Sequence, residues 1–240
     1  MIASTPYAAL AHAASGDAAR PLITYVGPEG RTELSVRSFQ NGVAKAAGLL
    51  RDGLDVQPGD VVALLLPAHW QTSIWLGACW AVGAVAEILP LSLDDAVVVL
   101  ATEELLPREQ LSAEILRISR HPFGLPAADP LPPHVQEAAL EVRAHGDIFT
   151  PFSEPSLDDP ALRLGTRTWR NGEVMTAAAE SASAWGLVPG GRLLTSRALT
   201  GTDLAAVLAI LAAPLSVDAA TIIASGDAPG ESPTAQLDDH

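Results

Sequence analysis

The sequence predicts an α/β fold made of two related subdomains with parallel sheets flanked by helices. Three observations carry this expectation. Residues 56–91 run as a Pro58-Gly59-Asp60 turn, an apolar Val/Leu run (61–66), a mostly apolar stretch with few breakers (70–82) and a second apolar run (85–89). That order reads as turn, buried strand, helix, buried strand, a βαβ unit with parallel pairing and a right-handed crossover. The same order returns later. Gly186-Leu187 and Pro189-Gly190-Gly191-Arg192 echo Gly53-Leu54 and Pro58-Gly59-Asp60, and are followed by a strand (192–196), an apolar helix (203–215) and a strand (219–224). Between the two copies, residues 121–133 are rich in proline and mark an irregular connection.

The remaining elements follow in chain order. Residues 5–14 read as a short helix with Thr5 as N-cap and Pro6 at its first position. Residues 21–26 and 31–34 flank Gly27-Pro28-Glu29-Gly30 and read as a hairpin. Ser35 caps a helix over 36–52, in which Phe39, Val43, Ala46, Ala47 and Leu50 share one face. Residues 96–101 read as a third strand, and 107–119 as a helix with Glu114 and Arg117 on its polar side. Residues 134–145 and 172–185 read as helices, and 150–160 as a loop. Thr202 is a candidate N-cap for the helix at 203–215. The predicted organisation is a first α/β subdomain over 1–120, a Pro-rich connection with a helix over 121–168, and a second subdomain over 169–224. The tail 225–240 has no apolar pattern and is expected to be disordered.

Composition excludes several classes. The 240 residues are 48% hydrophobic but only 5% aromatic, so the core is built from Leu, Val, Ile and Ala. Fourteen cations against 28 carboxylates leave a net charge of -14, which repels nucleic acid and anionic membrane surfaces. The lone Cys79 allows no disulfide within the chain and fits a reducing, cytoplasmic setting. The N-terminus lacks the basic start of a signal peptide, and no apolar run reaches the ~18 residues of a membrane span.

No nucleotide, hydrolase or zinc motif is present, and the six histidines lack metal-ligand spacing, so neither a metal nor a catalytic residue is assigned. Asp94-Asp95 reads as a solvated loop rather than an acid pair. The best site candidates follow strand ends, where open parallel sheets bind ligands. After the first strand of the 56–91 unit, His69 offers a donor to an acyl or phosphate oxygen, Trp70 a stacking ring, and Thr72 a hydroxyl. The alternative is that His69 caps the next helix and Trp70 is core. After the matching strand of the second half lie Arg197, Thr200 and Asp203, where Arg197 either meets an anion or pairs with Asp203.

The two copies resemble pieces of the adenylate-forming superfamily, the AMP-dependent acyl ligases. The matching residues are Leu34-Ser35 before a helix, Pro58-Gly59-Asp60, the Val61-to-Pro67 strand, the Ala81-Val82-Gly83-Ala84 corner, and the 186–215 stretch. The chain is also similar to a short AMP-binding-like family of about this length, into which Glu141-Val142-Arg143 and Gly146-Asp147 fit. The resemblance implies ATP or AMP, and coenzyme A, as cofactors, but the phosphate loop breaks. Its place falls at 151–168, an acidic stretch with one glycine and no lysine, whereas cradling phosphates takes converging N–H groups and a cation. The superfamily's adenine and ribose motifs, and the domain carrying its catalytic lysine, would follow beyond residue 240. The one lysine, Lys45, matches no catalytic context. The expectation is therefore a non-catalytic relative that retains a small-ligand or acyl-binding cleft. The alternative is a protein-interaction or regulatory scaffold, and an active AMP-forming ligase comes last.

Overall fold

A computed structural model describes residues 4–226, 228 and 230–237. The chain opens with α1 (Pro6–Ser15), capped by the Thr5 hydroxyl, which accepts from the Ala8 N–H. The hairpin β1 (Pro21–Gly27) and β2 (Gly30–Ser35) leads into α2 (Val36–Gly48), which a π-helical turn extends through Leu49–Gly53. The βαβ unit is β3 (Val61–Leu65), α3 (Trp70–Val82) and β4 (Val85–Ile88). Gly83 ends α3 at φ 86°, and its carbonyl accepts from the Gly59 N–H, so the Pro58-Gly59 turn docks against the foot of the helix.

Next come β5 (Ala96–Ala101), β6 (Glu114–Arg117), β7 (Val135–Glu137) and the one-turn α4 (Ala138–Glu141). The last third holds the hairpin β8 (Pro160–Leu164) and β9 (Arg167–Arg170), then α5 (Asn171–Ala184) and β10 (Arg192–Thr195). It continues with α6 (Leu204–Val207), a π-helical stretch Leu208–Ala212, α7 (Ala213–Ser216), β11 (Ala220–Ala224) and β12 (Ala235–Leu237).

The strands form two sheets. One has the order β12-β10-β11-β1-β2, the other β7-β6-β5-β3-β4-β8-β9. Every pairing is parallel except the two hairpins, β1–β2 and β8–β9, which lie at sheet edges. Pairing crosses the two sequence copies, since the β1–β2 hairpin from the first third joins β10–β12 from the last. Helices fill the space between the sheets: α3 touches β4 of one and β1 of the other. It is accordingly buried nearly all round, with Trp75, Leu76, Cys79 and Trp80 in the main core. Two of its polar side chains are satisfied inside. Ser73 donates to the Ile210 carbonyl at 3.0 Å and the Trp80 indole to the Ala161 carbonyl at 3.1 Å. The outer face of the seven-stranded sheet buries a second, smaller cluster that includes Ala63, Val99 and Ile115.

Four expectations are corrected. The helix expected over 107–119 is strand β6. Leu111, Ile115 and Ile118 imitate a helical period, but Ile115, Leu116 and Arg117 are all buried between β5 and β7. Arg117, expected on a polar face, is 2% exposed. The helix expected over 134–145 is the short strand β7 followed by α4 and a 3₁₀ turn, Val142–Ala144. The N-cap of α6 is Asp203, whose carboxylate accepts from the Ala206 N–H, and not Thr202. In the tail, β12 pairs in parallel with β10, and Glu231 binds Arg31 and Arg192. A polar tail carries no apolar signal when hydrogen bonds and ion pairs hold it. Residues 227, 229 and 238–240 of that tail lie outside the described residues. No helix among the described residues is long and apolar enough to cross a membrane.

Candidate functional site

Pro67 stops the chain after β3, and His69 sits in extended backbone as the N-cap of α3. Its Nδ1 accepts from the Gln71 N–H at 3.3 Å. A nitrogen that accepts is unprotonated, so the proton of the neutral ring is on Nε2. Nε2 is buried and has no hydrogen-bond partner among the described residues, and the same holds for the Trp70 indole nitrogen. His69 is 2% exposed and Trp70 8%, with ring centroids 5.5 Å apart. Tyr25 of β1 meets His69 edge to face, with centroids 4.3 Å apart. Burial pushes the His69 pKa down to about 4; Glu29 pulls it up and Arg120 down. At neutral pH the ring is therefore uncharged, a donor rather than a proton shuttle.

Around the rings lies a chain of polar contacts. The Tyr25 hydroxyl donates to Glu29 at 2.8 Å, and Arg120 reaches Glu29 at 3.3 Å and Glu104 at 3.1 Å. Burial raises the Tyr25 pKa, helped by the Glu29 carboxylate. Burial also works against the charged form of Glu29, yet the Tyr25 hydroxyl, a backbone N–H and Arg120 together hold its pKa below the usual range. The Gln71 amide donates to the Ser119 carbonyl at 2.6 Å. Thr72 faces inward and donates to the Pro67 carbonyl at 2.6 Å.

The second group of candidates stands on the other sheet. Arg197 follows β10 and pairs with Asp203, while the Asp203 carboxylate also caps α6. Thr200 is exposed, and its carbonyl accepts from the Asp203 N–H at 3.4 Å. The structure thus joins His69 with Trp70, and Arg197 with Asp203, at the ends of strands in different sheets.

The stretch 151–168, where the superfamily's phosphate loop would fall, forms an irregular segment and most of the β8–β9 hairpin. Its cations are engaged. Arg163 reaches Asp95 at 3.0 Å and Glu87 at 3.4 Å, and Arg167 stacks 3.3 Å over the Trp169 ring. Burial raises the Glu87 pKa, Arg163 opposes it and Asp95 adds to it. Asp94 accepts from the Ser92 hydroxyl. Lys45, on α2, binds Asp147 at 2.9 Å and the His145 carbonyl at 3.2 Å. Cys79 is buried in α3, and burial raises its pKa to about 12, so its thiol stays protonated. Among the described residues no group of three or more His, Cys, Asp or Glu side chains is placed to hold a metal ion.

Sequence reasoning did not find Tyr25, Glu29 or Arg120, because the first two lie on the β1–β2 hairpin and the third some 90 residues on, and only the packing of the hairpin brings them together. Gly27 is the one local hint. A Cβ there would lie 2.1 Å from the Tyr25 hydroxyl, so this position keeps the space in which the Tyr25 ring lies.

Residues 10–104 match the AMP-binding enzyme family. A TIGR03089 family protein of Mycobacterium tuberculosis (strain ATCC 25618 / H37Rv) is 37% identical over 214 residues, 84% of this chain and 83% of that protein. Among solved structures, an acetoacetyl-CoA synthetase from Streptomyces lividans superposes with a TM-score of 0.74 at 18% identity, over 92% of this chain and 38% of its own. A Brucella canis acyl-CoA synthetase does so with a TM-score of 0.75 at 17% identity, over 94% of this chain and 44% of its own. At such identities the likeness is one of fold, and the chain spans less than half the length of those synthetases.

Proposed function

The chain belongs to the TIGR03089 family and is a relative of the adenylate-forming enzymes, and from that premise we propose that it is a non-catalytic member of that superfamily, working in the cytoplasm as a binding protein. The observation that supports this most is the stretch 151–168. Where an adenylating enzyme needs glycine N–H groups and a cation converging on phosphate, this chain builds a hairpin whose arginines are already engaged by carboxylates and an indole. The net charge of -14 adds a general penalty against ATP and against nucleic acid.

One observation favours a retained small-ligand site over a bare protein-interaction scaffold. His69 and Trp70 keep two buried ring N–H donors at a strand end without hydrogen-bond partners among the described residues. An acyl carbonyl or carboxylate oxygen is the group such donors would take. Arg197, Thr200 and Asp203 would then shape the matching strand end of the other sheet.

Thermal unfolding with ATP, AMP, coenzyme A and a non-hydrolysable acyl-adenylate analogue tests both levels. The expected result is no stabilisation by ATP and no pyrophosphate release with any carboxylic acid supplied. Pyrophosphate formed in a protein-dependent way would overturn the non-catalytic reading. Stabilisation by the analogue that disappears in Trp70→Phe, which removes the indole N–H together with part of the ring, in a variant that still unfolds cooperatively, would support the retained site. No response to any of the four would turn the search to a protein partner.

A further inference from the structure

After β6 the chain leaves Ile118 in the main core and runs over the first turn of α3 as residues 119–124. Both ends of this segment touch that turn. The Ser119 carbonyl accepts from the Gln71 amide at 2.6 Å. A Cβ on Gly124 would lie 3.3 Å from Trp70 Cη2 and 3.9 Å from Cζ2. Cζ2 is two bonds from the indole nitrogen, so the Gly124 backbone covers the ring edge whose N–H has no partner among the described residues. Gly124 takes φ +61°, and its N–H donates to the His121 carbonyl at 2.8 Å to close a tight turn. Glycine supplies both the left-handed backbone and the close approach to the ring.

The segment is held by polar contacts near the surface. Arg120 reaches Glu29 at 3.3 Å and Glu104 at 3.1 Å, and the Thr32 hydroxyl donates to the Pro122 carbonyl at 2.9 Å. The Arg120 and Glu104 side chains are 42% and 60% exposed, and an ion pair so exposed holds weakly. Apolar anchoring is absent from the segment: Pro122, Phe123 and the following Leu125 join neither core cluster, and Phe123 points into solvent, 82% exposed. A stretch with few buried apolar contacts opens at lower cost than the fold as a whole. The floor beneath it is firm, since α3 is tied into the core through Ser73 and Trp80. Two ring N–H donors therefore lie under a weakly held cover. Leaving them unpaired costs free energy that an oxygen arriving from outside would recover.

We propose that residues 119–124 form a lid over the His69 and Trp70 donors, latched by Arg120 to Glu29 and Glu104 and by Thr32 to Pro122, and that water or ligand reaches those donors only when it lifts. The part the lid plays for a ligand rests on the reading of this strand end as a retained small-ligand site, whereas its opening is measurable with no ligand present.

Hydrogen exchange of the tryptophan indole N–H groups, followed by NMR on the intact chain labelled at tryptophan, reads this opening. Trp70→Phe identifies the Trp70 signal. Trp80, whose indole donates to the Ala161 carbonyl in the core, is the internal control. The Trp70 N–H is expected to exchange well before that of Trp80. Arg120→Gln should speed Trp70 several-fold and leave Trp80 unchanged. Added salt should speed Trp70 in the parent by screening the exposed pairs, and have little effect in Arg120→Gln. Thr32→Val releases the other latch and should act in the same direction. The lid is overturned if Trp70 and Trp80 exchange together, as in global unfolding, or if both variants leave Trp70 exchange unchanged. Stabilisation by the acyl-adenylate analogue in a chain that fails these tests would keep the retained site and refute the lid. Opening as described in a chain that no ligand stabilises would uphold the lid and refute the retained site.

Discussion

Arg117 of β6 and Glu137 of β7 form an ion pair at 2.8 Å with side chains 2% and 4% exposed. The same guanidinium reaches Glu103 at 2.9 Å and the Asp129 carbonyl at 3.0 Å. One side chain thereby ties two strands, the turn after β5 and the Pro-rich connection. Removing the arginine leaves a buried carboxylate uncompensated. Arg117→Met should cost about 3–5 kcal/mol in chemical denaturation. Adding Glu137→Leu should recover part of that loss, because the stranded charge goes too. A single variant within ~1 kcal/mol of the parent would refute this account of the network.

The buried His69 makes stability depend on pH. Its pKa falls from 6.5 in the unfolded chain to about 4 in the fold. The unfolded chain therefore takes up the proton first as pH drops. The contribution is present in full above about 6.5 and is lost progressively down to about 4, to a total of about 3 kcal/mol. His69→Asn keeps an N-cap acceptor but removes the titration. The difference in unfolding free energy between parent and variant should shrink by that amount from pH 7 to pH 4. A difference that stays constant across the range would show that His69 does not titrate as its burial requires.

Helices α2 and α3 approach through small residues. A Cβ on Gly77 would lie 3.0 Å from Val43 Cγ2, and one on Gly42 2.7 Å from Ile74 Cδ1. Gly77→Val overfills this contact and should destabilise by about 1–3 kcal/mol, read as a lowered urea midpoint with unchanged slope. A neutral result would mean that the two helices have room to separate.

Lys45 forms a surface tie to Asp147, and the proposed function gives it no part in catalysis. Its partner Asp147 is 58% exposed, and such pairs are worth ~0–1 kcal/mol. Lys45→Ala should therefore lower stability by less than ~1 kcal/mol and leave every nucleotide response unchanged. Loss of an acid-dependent ligation in that variant would reinstate the enzyme reading.

The sequence by itself determined the elements whose signals are local. Pro58-Gly59-Asp60 with the apolar runs on either side of α3 specified the βαβ unit, since buried parallel strands need no alternation and a helix buried all round needs no polar face. Gly27-Pro28-Glu29-Gly30 specified a hairpin, and Ser35 a helix start. In the tertiary structure His69 caps α3 and Arg197 is bound to Asp203. Tertiary structure alone decided the rest. Residues 114–117 form a strand because β5 and β7 offer partners on both sides, which outweighs the helical spacing of Leu111, Ile115 and Ile118. The tail is placed by pairing with β10 and by the Glu231 ion pairs, neither of which leaves an apolar trace. The Tyr25–Glu29–Arg120 group exists only because the β1–β2 hairpin joins β11, 198 residues further along the chain, and so packs over the His69 end of α3. Contacts between segments so far apart depend on which sheet edges meet, and that is a property of the assembled layers rather than of any local stretch of chain.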